Sequence, residues 1–248
     1  MDERHVPSIG LRYWALFIVT SVFGGHMGDV VVAALPIGVL GRMLVLAFLL
    51  AAVFVVERYD RSSTDAWYWI AVIVIQIAAV RLSDLSTVRL GFSPLEVVGA
   101  LAILLVTTIV VARSDETHLF STLQLERPGT AAKPMADVAH WLGLIVASTL
   151  GAAAADLCAI TIGAGTVLSA VLFSLAIMLL LQLQRRSRPH RLHAFWLTTI
   201  LARADGVAIG DLLSKGPHLH LGLGVSSALS AFLAIGLLVF WRQPKPQI

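Results

Sequence analysis

Eight mostly apolar runs, each close to the ~20 residues that a helix needs to cross a bilayer, limit the fold of this chain more than any other feature. The runs are 13–35, 38–56, 66–85, 93–112, 138–161, 164–183, 194–213 and 222–241. Apolar residues make up 58% of the 248 residues and charged residues only 13%, too few charges to cover the surface of a soluble protein. The sequence therefore predicts an all-α membrane protein with eight transmembrane helices.

The lysines and arginines predict how these helices are oriented. Of the 18, thirteen fall on one side of the predicted membrane, three (Arg42, Arg89 and Lys215) fall on the other side, and two lie within spans. Because cytoplasmic loops carry the excess of basic residues, we expect both termini to be cytoplasmic. The basic residues then serve orientation, and we expect the lipid bilayer rather than a nucleic acid as the partner of this chain.

An interval of fifteen residues from a tryptophan to an aspartate occurs four times, in residues 14–29, 69–84, 141–156 and 196–211. The chain has only six tryptophans, so four equal intervals indicate an internal repeat. A small residue stands ten and again fourteen positions after each of these tryptophans, a pattern that lets helix backbones approach closely in lipid. Each copy holds two helices, and a glycine stands near the start of the second: Gly38, Gly91, Gly163 and Gly222.

The spacing of the copies predicts two halves. Successive tryptophans of the repeat are 55, 72 and 55 residues apart, and the longer interval contains a polar stretch with Pro128, Gly129 and Pro134. We expect a first half at 1–113, a cytoplasmic linker at 114–137 and a second half at 138–248. A two-helix copy returns the chain to its starting side, so the four copies point the same way. Their pseudo-symmetry axis should run along the membrane normal.

The four copies read YWALFIVTSVFGGHMGD, YWIAVIVIQIAAVRLSD, HWLGLIVASTLGAAAAD and FWLTTILARADGVAIGD. This pattern resembles a bacterial family of four-repeat integral membrane proteins, built from the domain of unknown function 347 repeat and described as uncharacterised membrane-anchored proteins. The resemblance covers essentially the whole chain and implies the bacterial inner (plasma) membrane. The first copy departs from the family pattern at Gly25, where members often carry a glutamate four residues before the aspartate.

The repeated aspartates are the first candidates for a functional site. On four helices around one centre they would lie at one depth, ~22 Å from the tryptophans at 1.5 Å per residue. Charged groups inside a membrane are costly and generally face the bundle interior or a watery cavity. Two interpretations remain open: a ring of carboxylates that binds a cation, or carboxylates that accept backbone hydrogen bonds and lock each helix pair. The four residues are Asp29, Asp84, Asp156 and Asp211.

Residues that break the repeat are further candidates. Gln76 and Arg203 stand seven residues after their tryptophans, where the other two copies have serine. We expect Arg203 to pair with an aspartate of a neighbouring repeat and Arg81 to pair with Asp84 one turn further on. The alternative for both arginines is contact with a substrate, which an arginine would bind through its fork of donors if the substrate is an anion. Asp205 and His26 complete the buried candidates, the histidine as a proton relay or as a packed, hydrogen-bonded side chain. A weak candidate metal site is formed by His218 and His220 in the loop before the last helix.

The function predicted from these residues is transport. We expect a transporter or channel-like permease for a small cation or proton; the alternative is a non-transporting scaffold or accessory subunit whose aspartates lock helix hairpins. Sequence motifs of metalloproteases, serine hydrolases, nucleotide-binding loops and haem sites are missing, so an enzyme is not expected. No cofactor is evident; carboxylates would suit a divalent cation. A homo-oligomer is compatible with the sequence.

Overall fold

The computed structural model of the chain describes residue 7 and residues 9–59, 66–114, 138–186, 191–216 and 221–240. These residues form eight α-helices, and their ends lie within a few residues of the predicted spans. The helices are α1 Leu11–Ala34, α2 Val39–Tyr59, α3 Ala66–Asp84, α4 Pro94–Ser114, α5 Val138–Asp156, α6 Gly165–Arg186, α7 Arg191–Lys215 and α8 Gly222–Phe240. The linker predicted at 114–137 lies outside the described residues after Ser114, as do both ends of the chain.

Seven of these helices are long and apolar enough to cross a membrane, and the exception is α7. Its sequence carries Arg203, Asp205 and Asp211 within the helix, and these charges lower its mean hydropathy. The all-helical membrane class predicted from composition is therefore confirmed, and seven of the eight predicted spans are supported. Within α7, Arg203 is fully buried and Asp205 is only 2% exposed, so these two charged residues do not face lipid.

The four odd-numbered helices form a closed inner ring, in which α1 packs against α3, α3 against α5, α5 against α7, and α7 against α1. Each even-numbered helix lies outside this ring and packs mainly against the inner helix of the next copy. These contacts are α2 on α3, α4 on α5, α6 on α7, and α8 on α1. The outer helices expose large apolar side chains such as Leu40, Phe48, Ile103 and Phe232, which is the surface that lipid covers.

The small residues of the repeat explain how closely the inner helices approach. At Gly24 an added Cβ would lie 2.5 Å from the Cβ of Gln76 on α3, and at Gly151 it would lie 2.6 Å from the carbonyl oxygen of Ile200 on α7. At Gly206 an added Cβ would collide with Ser21 on α1. A methyl group at any of these three positions would push two inner helices apart, as the small-residue pattern predicts.

Aromatic side chains close one end of the inner ring. The residue before each repeat tryptophan contributes one ring, and neighbouring ring centroids are 6.1–6.2 Å apart all the way round. These four residues, which we call the aromatic ring, are Tyr13, Tyr68, His140 and Phe195. Each is also in edge-to-face contact with its adjacent tryptophan. Such pairs stabilise the fold by about 0.5–1.5 kcal/mol each beyond the effect of their buried area. This end of the bundle is therefore a tightly packed, closed layer.

The inner helices α3 and α5 end differently from α1 and α7. Directly after Asp84 the chain makes a π-helical turn, Leu85–Arg89, and directly after Asp156 it makes another, Leu157–Thr161. Gly91 and Gly163 follow with φ of 74° and 80°, values that glycine adopts without strain. These wide turns carry the chain out of the inner ring toward α4 and α6.

Candidate functional site

The end of the inner ring opposite the aromatic ring contains a cavity of about 180 Å³. All four repeat aspartates line this cavity, one from the end of each inner helix. The residues four positions before them, Gly25, Val80, Ala152 and Val207, form its inner wall. The geometry expected from the repeat, with the four carboxylates facing one space, is therefore present. For brevity we call this space the acidic cavity.

Two cationic side chains, Arg81 and Lys215, form ion pairs with three of the four carboxylates. Arg81 lies between two of them, with its guanidinium nitrogens 2.9 Å from Asp29 Oδ1 and 3.0 Å from Asp84 Oδ2. Lys215 Nζ is 2.9 Å from Asp211 Oδ1 and 3.6 Å from Asp29 Oδ2. The expected pair between Arg81 and Asp84 is therefore formed, and Arg81 additionally ties α3 to α1.

Asp156 differs from the other three because it forms no ion pair or hydrogen bond with any described side chain, although it lines the same cavity. The lining thus contains four carboxylates and two cations, and 4 − 2 leaves two uncompensated negative charges when all are ionised. Such a concave acidic surface raises the local concentration of cations.

The contacts of Asp84 bear on the second interpretation, in which the aspartates accept backbone hydrogen bonds and lock each helix pair. Helix α4, which follows Asp84, begins with a capping box in which the Glu96 backbone N–H donates to Ser93 Oγ and the Ser93 backbone N–H donates to the Glu96 carboxylate at 2.7 Å. Asp84 makes no side-chain capping bond at the start of the π-helical turn that it precedes. The described partners of Asp29, Asp84 and Asp211 are the cationic side chains of Arg81 and Lys215.

His26 lines the acidic cavity and is only 3% exposed. Its Nε2 donates to the carbonyl oxygen of Gly210 on α7 at 3.0 Å, which fixes the proton on that nitrogen because a carbonyl only accepts. Its Nδ1 has no hydrogen-bond partner among the described residues. The histidine is therefore a hydrogen-bonded link between α1 and α7.

Three of the predicted site residues do not line the acidic cavity. Arg203 is fully buried below it and donates at 2.9 Å to the backbone carbonyl oxygens of Ser21 and Gln76, so the expected ion pair with a carboxylate is absent among the described residues. The backbone of Gln76 is thus a partner of the arginine, while the side chain of Gln76 is fully buried.

Asp205 points away from the centre of the inner ring, toward α6, and accepts a hydrogen bond from Ser174 at 2.8 Å. The expected ion pair of Arg203 with an aspartate of a neighbouring repeat is wrong because those aspartates lie at the cavity, about two helical turns further along their helices.

Two further predictions concern metal sites, one at His218 and His220 and one at the repeat aspartates. The candidate residues His218 and His220 lie outside the described part of the chain. Within the described ranges, no three histidine, cysteine, aspartate or glutamate side chains are grouped closely enough to hold a metal ion.

Sequence reasoning missed two features of the site. Lys215 was assigned only to the loop side of α7, although its position four residues after Asp211 is the spacing of a helical ion pair. The aromatic ring was also missed, although a tyrosine, histidine or phenylalanine precedes every repeat tryptophan. Both signals were present in the spacing of the sequence.

The fold and the acidic cavity define the class: a helical, multi-pass membrane protein with internal repeats. The Repeat of Unknown Function (DUF347) matches residues 139–189 and 194–245, the segments that contain α5 with α6 and α7 with α8. The second half of the chain thus carries this repeat, as the resemblance of the tryptophan-to-aspartate pattern predicts. Comparison with curated proteins and with solved structures gives no match.

Proposed function

We propose that this protein is a membrane transporter or channel-like permease that moves a small cation or a proton by way of the acidic cavity. The observation that carries the proposal is the convergence of Asp29, Asp84, Asp156 and Asp211 on one space at the end of the inner ring. Intramembrane carboxylates that face a common cavity are typical of ion and proton pathways. The two uncompensated negative charges favour a cation over an anion as the passenger.

The proposal includes a topology. In this topology the chain crosses a bacterial inner membrane eight times, with α7 as one of the spans. Both termini lie in the cytoplasm, and the acidic cavity lies toward the outer face. The four copies are then related by a pseudo-fourfold axis along the membrane normal. The closed ring of α1, α3, α5 and α7 and the regular spacing of the aromatic ring support this arrangement.

A second candidate function is a scaffold or accessory subunit that moves nothing. The ion pairs favour it: Arg81 joins α1 to α3, and Lys215 joins α7 to α1, so the same carboxylates fasten the ends of three inner helices. Under this reading the cavity is a by-product of packing and the charges are structural.

Flux across proteoliposomes separates the two functions. Vesicles with the purified protein are loaded with dyes for Mg²⁺, Mn²⁺, Ca²⁺ or protons, and the parent is compared with Asp211→Asn. Asp205→Asn is the matched control, because it makes the same change on the same helix outside the cavity. Transport predicts flux of at least one species, reduced by Asp211→Asn and retained by Asp205→Asn. No flux of any species would favour the scaffold.

A further inference from the structure

One layer of buried polar residues lies between the acidic cavity and the aromatic ring. It has one member from each inner helix, seven residues after the tryptophan, and each member is 0% exposed. These residues, the central polar layer, are Ser21, Gln76, Ser148 and Arg203. None of them lines the cavity, whereas the residue four positions further on in every inner helix does. The cavity therefore ends at this layer.

Arg203 connects the layer to all three other inner helices. Its two terminal nitrogens donate to the carbonyl oxygens of Ser21 on α1 and Gln76 on α3, each at 2.9 Å. Its aliphatic stem fills the space beside Gly151 on α5, where an added Cβ would lie 2.7 Å from the arginine Cβ. A single side chain thus spans the centre of the ring and places a positive charge beneath the four carboxylates. That charge opposes the passage of a cation.

The central polar layer is also fully buried and incompletely hydrogen-bonded among the described residues. Both amide atoms of Gln76, Oγ of Ser148 and Nε of Arg203 are buried without a hydrogen-bond partner among the described residues. Leaving a buried polar group unsatisfied costs about 1–3 kcal/mol, and that cost is removed when water reaches the group. An opened arrangement that admits water would therefore give hydrogen-bond partners to groups that have none among the described residues.

We propose that the central polar layer is the gate at the inner end of the acidic cavity, with Arg203 as its locking residue. Opening breaks the two hydrogen bonds from Arg203 to α1 and α3 and admits water to Gln76 and Ser148. This inference rests on the proposed function, because only a cavity that moves ions needs an inner exit. Serine occupies the position of Arg203 in the first and third copies, which provides a natural substitution for removing the lock.

Thiol accessibility tests the gate without reference to transport. In full-length protein whose native cysteine is removed by Cys158→Ser, cysteine is introduced by Ser148→Cys in the layer or by Ala152→Cys one turn further on in the cavity wall. The probe is hydroxyethyl methanethiosulfonate, which carries no charge and so does not respond to the loss of the arginine charge itself. With Arg203 in place, we expect residue 148 to react at least an order of magnitude more slowly than residue 152.

Arg203→Ser should then raise the rate at residue 148 to within a few-fold of the rate at residue 152, which itself stays unchanged and reports an intact cavity. Arg203→Lys, which keeps the charge but lacks the fork of donors that reaches two carbonyls, should give an intermediate rate. Equal rates at residues 148 and 152 with Arg203 present would overturn the gate, and this comparison needs no arginine variant to fold. A slow rate at residue 148 that persists in a monodisperse Arg203→Ser protein would overturn the role of Arg203.

The outcomes for the gate and for transport can be told apart. If no ion moves in proteoliposomes but Arg203→Ser exposes residue 148, the arginine seals the layer and the proposed function fails. If ions move and their flux and the accessibility of residue 148 are both unaffected by Arg203→Ser, transport stands and the gate is wrong.

Discussion

The packing of α1 against α3 gives a sharp test, because two adjacent glycines of α1 have opposite surroundings. A Cβ at Gly24 would lie 2.5 Å from the Cβ of Gln76 and 3.3 Å from its carbonyl carbon, whereas a Cβ at Gly25 would have no atom within 4 Å. In Gly24→Ala the added methyl group therefore has to separate two helices, and in Gly25→Ala it enters open space.

The magnitudes follow from two opposing effects. Replacing a glycine by alanine inside a helix stabilises it by about 0.5–1 kcal/mol, and this gain applies to both variants. Overpacking a close contact costs about 1–3 kcal/mol, and this cost applies to Gly24→Ala alone. Gly25→Ala should therefore be slightly more stable than the parent, and Gly24→Ala should be less stable than Gly25→Ala by about 1–3 kcal/mol.

Thermal unfolding of the two purified variants in the same detergent, followed by tryptophan fluorescence, measures this difference. At roughly 2–4 °C per kcal/mol, Gly24→Ala should unfold about 2–12 °C below Gly25→Ala. Equal midpoints, or a higher midpoint for Gly24→Ala, would refute the close approach of α1 and α3 on which the inner ring depends.

Three further predictions concern charge and topology. Arg81→Gln removes the cation that pairs with two carboxylates, which leaves three uncompensated negative charges in the cavity instead of two. The cation concentration for half-maximal flux in proteoliposomes should therefore fall severalfold. A higher concentration would contradict the electrostatic reasoning. Gly25→Glu adds a carboxylate to the cavity wall at a position with open space, so it should also lower the cation concentration for half-maximal flux. Its size-exclusion profile should stay that of the parent. Reporter fusions at the two chain ends should both be active only in the cytoplasm, and activity of the two reporters on opposite sides would exclude eight spans.

Most of the fold was predictable because lipid imposes simple rules on a sequence. A span must be apolar and of a fixed length, so the helix ends agree with the predicted runs to within a few residues. The repeated interval placed Asp29, Asp84, Asp156 and Asp211 at one depth, and the cavity contains all four. The packing of each outer helix on the inner helix of the next copy could not be predicted, since these helices are apolar on every side and carry no signal for a particular neighbour.

The hydrogen-bond partners of Arg203 could not be predicted from the sequence. Arg203 was expected to pair with an aspartate of a neighbouring repeat, and Asp205 stands two residues away in its own helix. Two residues along an α-helix place side chains on different faces, and Asp205 accordingly faces Ser174 on α6. The carbonyl oxygens of Ser21 and Gln76 became the partners because α1 and α3 approach closely at Gly24, a three-dimensional fact that no single segment carries.

The central claim is that the acidic cavity binds and moves a cation, and Asp156→Asn tests it most directly. Asp156 is the cavity carboxylate without a described cationic partner, so replacing it removes one negative charge without releasing an arginine or a lysine. Cation or proton flux of Asp156→Asn in proteoliposomes should fall well below that of the parent and of Asp205→Asn, at equal amounts of monodisperse protein. Equal flux in all three proteins would contradict the account.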